Sequence, residues 1–222
     1  MLKVKQFVFN PFGVSTFIIY DSESKTAIAI DPGMLNSAEQ KEFDSYIAEN
    51  NLKLTQIVNT HLHLDHCFGN NYVRDKYGIK VAAHPDDAFL GNSLVEQASR
   101  FGIRLTGNDT KAGIDIELKD GDNIKVGAHT LKVLHVPGHS PGSIALYSAE
   151  GGFVIGGDVL FKGSIGRTDL QGGNLDTLLD SIHSRLMTLP DSTNVLPGHD
   201  RFTTIGAERA TKIGRASCRE RV

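Results

Sequence analysis

Seven consecutive residues, Thr60-His61-Leu62-His63-Leu64-Asp65-His66, hold four side chains of metal-binding type. Imidazole nitrogen and carboxylate oxygen suit zinc, iron and manganese alike. His61 and His63 lie two residues apart, so on an extended chain they share one face. Asp65 and His66 join them only if the backbone turns sharply, and the two pairs then reach one cleft from different angles. A polar surface loop is the blander reading. Three histidines so close together, delivered by the strand-like run Gln56-Ile57-Val58-Asn59, fit it poorly.

Three later positions bring the same donor types. His139 lies in Val136-Pro137-Gly138-His139-Ser140-Pro141-Gly142-Ser143, Asp158 in Gly156-Gly157-Asp158, and His199 in Leu196-Pro197-Gly198-His199-Asp200. Each follows an apolar run and sits beside Gly or Pro, which puts a ligand type where a strand ends and the chain must turn. Five histidines and two aspartates exceed the four donors that one tetrahedral zinc uses. The surplus implies two metals, or one metal in a site built for two.

Together these residues resemble the metallo-β-lactamase superfamily, through its His-x-His-x-Asp-His signature, and within it the short glyoxalase II-like hydrolases. The likeness runs from Asp31-Pro32-Gly33 through Gly157-Asp158-Val159-Leu160-Phe161 and Gly166-Arg167-Thr168-Asp169 to Pro197-Gly198-His199. Carried over position by position, it implies one metal on His61, His63 and His139 and another on Asp65, His66 and His199, with Asp158 bridging both. Zinc is the first choice for these two divalent ions, and iron or manganese would also fit. Asp31 is implied as the partner that orients a ligand histidine. Arg167 stands on a Gly-rich loop where related enzymes place a cation for substrate, with Phe161 and Lys162 as weaker candidates; the duller reading of Arg167 is a salt bridge to Asp169.

A bound metal lowers the pKa of water from 15.7 to about 7, and two ions roughly 3.5–4 Å apart can hold a hydroxide between them. No Ser-His-Asp or Cys-His arrangement is recognisable apart from the ligands. The simplest mechanism is therefore attack by a bridging hydroxide on an acyl carbon, with Asp65 both binding metal and orienting the hydroxide. A thioester suits such a site, because its thiolate leaves with little help from an acid. The resemblance points to a small-molecule hydroxyacyl thioester such as S-lactoylglutathione. Three readings compete. A β-lactamase of the best-known zinc type would carry Cys where Asp158 stands, and often a non-His residue at position 66. A mononuclear-iron persulfide dioxygenase shares the fold and a Gly-Arg-Thr-Asp stretch. A non-enzymatic metal module is disfavoured because structural zinc sites are closed by four ligands.

Size and charge bound the rest. A chain of 222 residues, 40% hydrophobic, can bury one large core, and a single domain over 1–212 is expected. A formal charge of −3 and a pI near 6.3 leave no electrostatic footprint for nucleic acid. The N-terminus lacks the pattern of a signal peptide and no run of 18 apolar residues occurs, so a cytoplasmic protein with no membrane partner is expected. Cys67 and Cys218 are too few for a disulfide framework. Cys67 reads as a small packing residue.

The elements that must position the site follow from pattern. Strands are expected over 3–9, 16–20 and 27–30, the last two joined by a hairpin loop. A helix capped by Ser37 should run to about Asn50 with Phe43, Ile47 and Tyr46 inward, and a helix over 70–77 should stop at Gly78 before a strand over 80–83. The stretch 84–113 reads as an excursion over the site, outside the core. A meander over 115–118, 123–126 and 130–136 and a hairpin of 143–148 with 153–155 come next. The glycines of 162–174 imply backbone passing close to something. A helix over 175–189, with Leu178, Leu179, Ile182 and Leu186 inward, precedes a last strand at 193–196. His84, His129, His135 and His183 read as surface or hydrogen-bonded residues. Two strand-rich halves with helices outside make an α/β (α+β) protein, a four-layer αββα sandwich, which the resemblance also implies. Residues 213–222 break with the preceding composition and read as a translated adapter sequence, a non-native tail.

Overall fold

β-Branched and aromatic residues recur through the first thirty positions, and the chain there forms three antiparallel strands: β1 (Leu2–Phe9), β2 (Val14–Asp21) and β3 (Thr26–Ile30). This computed structural model describes residues 1–105 and 107–211. Its chain divides into two compact units, Met1–Leu118 with Ile124–Thr130, and Lys119–Asn123 with the residues from Leu131 onward.

In the first unit, α1 (Ser37–Glu49) returns the chain so that β4 (Lys53–Val58) pairs parallel with β3. The short α2 (Leu64–Cys67) and α3 (Asn70–Tyr77) lead to β5 (Lys80–Ala83), which pairs parallel with β4. Strand β6 (Ile116–Glu117) completes the order β1-β2-β3-β4-β5-β6. Phe43 and Ile47 of α1 and Val73 of α3 pack with Phe7, Phe9, Ile18, Ala27, Ala29, Ile57 and Val81, which covers one face of the sheet with helix. Gly78 ends α3 in the left-handed conformation (φ 63°) that glycine adopts without penalty. The cap of α1 differs from expectation. Asn36, not Ser37, holds extended geometry and accepts the N–H groups of Ala38 and Glu39, so Ser37 is the first helical residue.

The excursion over 84–113 is also corrected. It forms a 3₁₀ turn (Pro85–Asp87), α4 (Ala88–Asn92) and α5 (Leu94–Ser99). Leu90, Leu94, Ala98 and Ala112 are buried there in one cluster with Leu62, Leu64, Cys67 and Phe68, so this segment builds core directly under the histidine motif. Its helices span two turns at most, too short for a 3.6-residue pattern to declare itself.

Two further strands follow, β7 (Asn123–Val126) and β8 (His129–His135), which pair with each other. In the second unit β8, β9 (Ile144–Ser148) and β10 (Phe153–Gly157) are antiparallel. A small hairpin, β11 (Leu160–Phe161) with β12 (Ser164–Ile165), and α6 (Leu175–Ser181) precede β13 (Asn194–Pro197), which pairs parallel with β10. β14 (Thr203–Thr204) and α7 (Ile205–Arg209) follow. The long helix expected to Leu189 is α-helical only to Ser181 and continues as a π-helix over Ile182–Leu186. Leu178, Ile182 and Leu186 stay buried throughout. Four-residue steps drift one way around an α-helix and back around the wider π turn, so the mixture keeps these three in line. The expected non-native tail at 213–222, with Cys218, lies outside the described residues.

Candidate metal centre

The last ladder bond of β4 is given by Asn59 N–H to Ala82 O, after which the chain leaves the sheet in extended form and turns into α2 at Leu64. His61 and His63 lie edge to face with ring centroids 4.8 Å apart, and α2 brings the His66 ring to 4.0 Å from His61. All three imidazoles are buried. Asp65 Oδ2 lies 3.7 Å from His66 Nε2 and is partly open to solvent.

Asp31 organises this set. It ends β3 at φ 48°, a left-handed position that aspartate tolerates better than most residues. Its buried carboxylate accepts the Thr60 N–H at 2.7 Å, the Thr60 hydroxyl at 2.6 Å and His66 Nδ1–H at 2.9 Å. A carboxylate only accepts, so the proton of neutral His66 sits on Nδ1 and the lone pair on Nε2. The Thr60 hydroxyl, its proton committed to Asp31, accepts in turn from His61 Nδ1 at 3.1 Å. One aspartate thereby sets the tautomer of two histidines. Backbone approaches closely here: a Cβ on Gly33 would stand 2.7 Å from the Asp65 carbonyl oxygen, and Asn10 Nδ2 donates to both the Gly33 and Asp65 carbonyls.

The second unit gathers His139, Asp158 and His199, which follow β8, β10 and β13. Asp158 Oδ2 lies 3.7 Å from His139 Nε2 and 3.5 Å from His199 Nε2. His139 Nδ1–H donates to the Arg167 carbonyl at 2.8 Å, which again leaves the lone pair on Nε2. Gly198 N–H bonds the Gly157 carbonyl at 2.8 Å and so fixes the start of the His199 turn beside Asp158. The Gly-rich loop has a reason at Gly166, where a Cβ would fall 1.8 Å from the Asp158 carbonyl oxygen and 3.3 Å from His139 Nδ1.

Both units are built alike. A carboxylate, Asp31 or Asp158, follows the third strand of a meander, and a histidine, His61 or His199, follows the next parallel strand. The donors in each unit, neutral imidazoles turned on Nε2 together with carboxylates, suit a divalent ion.

Among the other residues singled out, Arg167 is exposed and makes a bidentate pair with Asp169 at 2.7 and 2.6 Å. That hydrogen bond holds the Asp169 carboxyl down at about 2. The Phe161 ring lies 6.5 Å from that of His199, and Lys162 is exposed. Cys67 packs among Leu62, Leu64 and Leu90; burial and the charges of Asp31, Asp65 and Asp87 push its thiol up. His84 accepts from Asp86 N–H, His129 lies 3.6 Å from Asp21 Oδ1, and a His135 ring nitrogen bonds the Pro141 carbonyl. His183 departs from expectation, being half-buried with Nε2 reaching no hydrogen-bond partner among the described residues. Residue types and spacing did not point to Asn59 and Asn70, whose amides pair at 2.8 Å while Asn59 Nδ2 donates to the His66 carbonyl at 3.0 Å.

Residues 9–199 match the sequence profile of the Metallo-beta-lactamase superfamily. The chain belongs to that superfamily. Its members are typically metal-dependent hydrolases, and the expected α/β fold class is the one observed. The chain is 37% identical to the hydroxyacylglutathione hydrolase GloC of Haemophilus influenzae, over 86% of this chain and 88% of that protein. It is 31% identical to the mitochondrial persulfide dioxygenase ETHE1 of Homo sapiens, over 87% of this chain and 66% of that protein. Among solved structures, the BLEG-1 B3 metallo-beta-lactamase superposes with a TM-score of 0.81 at 35% identity, covering 93% of this chain and 96% of that one. TTHA1623 in a di-iron-bound form gives 0.80 at 31% identity, covering 93% and 98%. No helix among the described residues is long and apolar enough to cross a membrane.

Proposed function

We propose that this member of the superfamily is a thioesterase that cleaves a hydroxyacyl thioester, such as S-lactoylglutathione, to an acid and a free thiol. The observation that carries the proposal is the bond that His61, His66 and His139 each make at Nδ1, which leaves Nε2 of each ring to bind a metal. His61, His63 and His139 hold one divalent ion in this reading, Asp65, His66 and His199 the other, and Asp158 serves both. Bound there, the ions supply activated water at neutral pH and a Lewis acid for the carbonyl. Asp65, less buried than the histidines beside it, orients the attacking water and takes up its proton. Asp31 keeps His61 and His66 in register as charge builds on the acyl oxygen. Lys162, exposed in the turn between β11 and β12, and Arg167, exposed just after β12, meet the anionic part of the thiol carrier. Phe161, beside His199, packs against its apolar part.

Likeness to the hydroxyacylglutathione hydrolase over nearly equal lengths supports this activity. The persulfide dioxygenase is the second reading, favoured by the 31% identity to a protein of that activity, though this chain spans only 66% of it. Asp158→Ala tests the assignment of the ligands: metal content should fall to one ion per chain or none and turnover should vanish. Two bound ions and full activity in that variant would refute it.

A further inference from the structure

The histidine motif lies outside the sheet, so its backbone has no strand neighbour to bond among the described residues. Buried N–H groups are nevertheless paired almost without exception. Between Thr60 and Leu64 the pairing is done by side-chain oxygens at every second residue. Thr60 N–H donates to Asp31 Oδ1 at 2.7 Å, Leu62 N–H to Asp87 Oδ2 at 3.0 Å, and Leu64 N–H to Gln97 Oε1 at 3.0 Å. Two residues is the repeat of an extended chain, whose alternate N–H groups share one side. The intervening His61 and His63 are thus held at both flanks.

We infer that Asp87 and Gln97 are positioning residues for the metal ligands: with Asp31 they replace the missing strand and fix where His61, His63 and Asp65 stand. Asp87 is fully buried at the end of the 3₁₀ turn, and Gln97 on α5 is half-buried. Gln97 is braced by its own amide, which donates to the Leu90 carbonyl at 2.9 Å. Gly91 lets α4 come this near, since a Cβ there would lie 2.3 Å from the Ala112 carbonyl oxygen and 3.0 Å from Leu62 Cδ1. The apolar contacts of Leu62 and Leu64 with Leu90 and Leu94 seat the same stretch from the same segment. Losing either acceptor strands a buried N–H, and the chain must move to find another partner. Groups that support metal ligands from behind typically contribute 10- to 100-fold in affinity.

The inference rests on the proposed metal centre, and its test separates the two. Chelator-stripped wild type, Asp87→Ala, Asp87→Asn and Gln97→Met would be titrated with Zn(II) against a chromophoric chelator and with Co(II) by visible absorption. Circular dichroism and melting of the apo forms report folding. Asp87→Ala and Gln97→Met should each weaken metal binding about tenfold or more and alter the Co(II) spectrum. Asp87→Asn, which keeps an acceptor oxygen, should recover most of the affinity. Because Gln97 is half-buried, its variant carries the test if Asp87→Ala does not fold. Wild-type affinity and spectrum in folded Gln97→Met and Asp87→Ala would overturn the positioning role alone. A wild-type chain that takes up no metal would overturn the metal centre, and the positioning role with it.

Discussion

Replacing Asp31 by Asn changes one atom, yet it should disturb two histidines. Three donors converge on the two carboxylate oxygens: Thr60 N–H on Oδ1, and the Thr60 hydroxyl and His66 Nδ1–H on Oδ2. An amide has one acceptor oxygen and one NH₂, so either orientation sets a donor against a donor. With NH₂ at Oδ2, relief requires His66 to shift its proton from Nδ1 to Nε2, which removes the lone pair from the coordinating side, and frees the Thr60 hydroxyl to reverse on His61. With NH₂ at Oδ1, the Thr60 N–H is stranded. A stranded buried donor costs about 1–3 kcal/mol. In a chain of this size 1 kcal/mol lowers Tm by roughly 2–4 °C, so a fall of about 2–12 °C is expected. Asparagine tolerates the left-handed backbone at this position, so the change isolates the hydrogen bonds. Metal affinity, measured by chelator competition, should fall about 10- to 100-fold. An Asp31→Asn protein that melts like wild type and binds metal as tightly would refute the claim that this carboxylate sets the tautomers.

Two further perturbations probe the loop after β12. Arg167→Ala should raise KM for an anionic thioester more than it lowers kcat, since the guanidinium is proposed to bind substrate equally in ground and transition states. Its exposed pairing with Asp169 is worth about 0–1 kcal/mol, so Tm should barely move. An unchanged KM would leave Arg167 only its ion pair and its carbonyl bond to His139. Gly166→Ala must push its new methyl away from the Asp158 carbonyl, and overpacking of this kind costs about 1–3 kcal/mol. Lower Tm together with weaker metal binding is expected, and a neutral outcome in both would show that this approach is not required.

Much of the fold was legible because its elements are long enough to carry a period. The strands of the first sheet alternate or run apolar, and α3 with its Gly78 stop follows local rules that tertiary contacts do not override. The cap of α1 lies one residue before the expected one because Asn36 and Ser37 are both good caps, and only backbone geometry chooses between them. Legibility failed in 84–113, where helices of a few residues show no period and Asp87 and Gln97 look like any other polar side chains. Their role depends on long-range placement, 25 and 33 residues from the N–H groups they accept. The donor types of the candidate metal centre were plain in the sequence. The bonds at Nδ1 that turn each ring were less so, because two are given to the backbone or a hydroxyl, groups that every segment offers.

Metal ions on these histidines and aspartates are proposed to hydrolyse a thioester. One preparation of the purified protein, analysed for metal and assayed in an oxygen electrode with thiol detection, tests it most directly. Close to two metals per chain, free thiol from S-lactoylglutathione and no oxygen uptake are expected, because attack by activated water involves no redox step. About one iron per chain, with oxygen uptake on glutathione persulfide and no cleavage of the thioester, would contradict it.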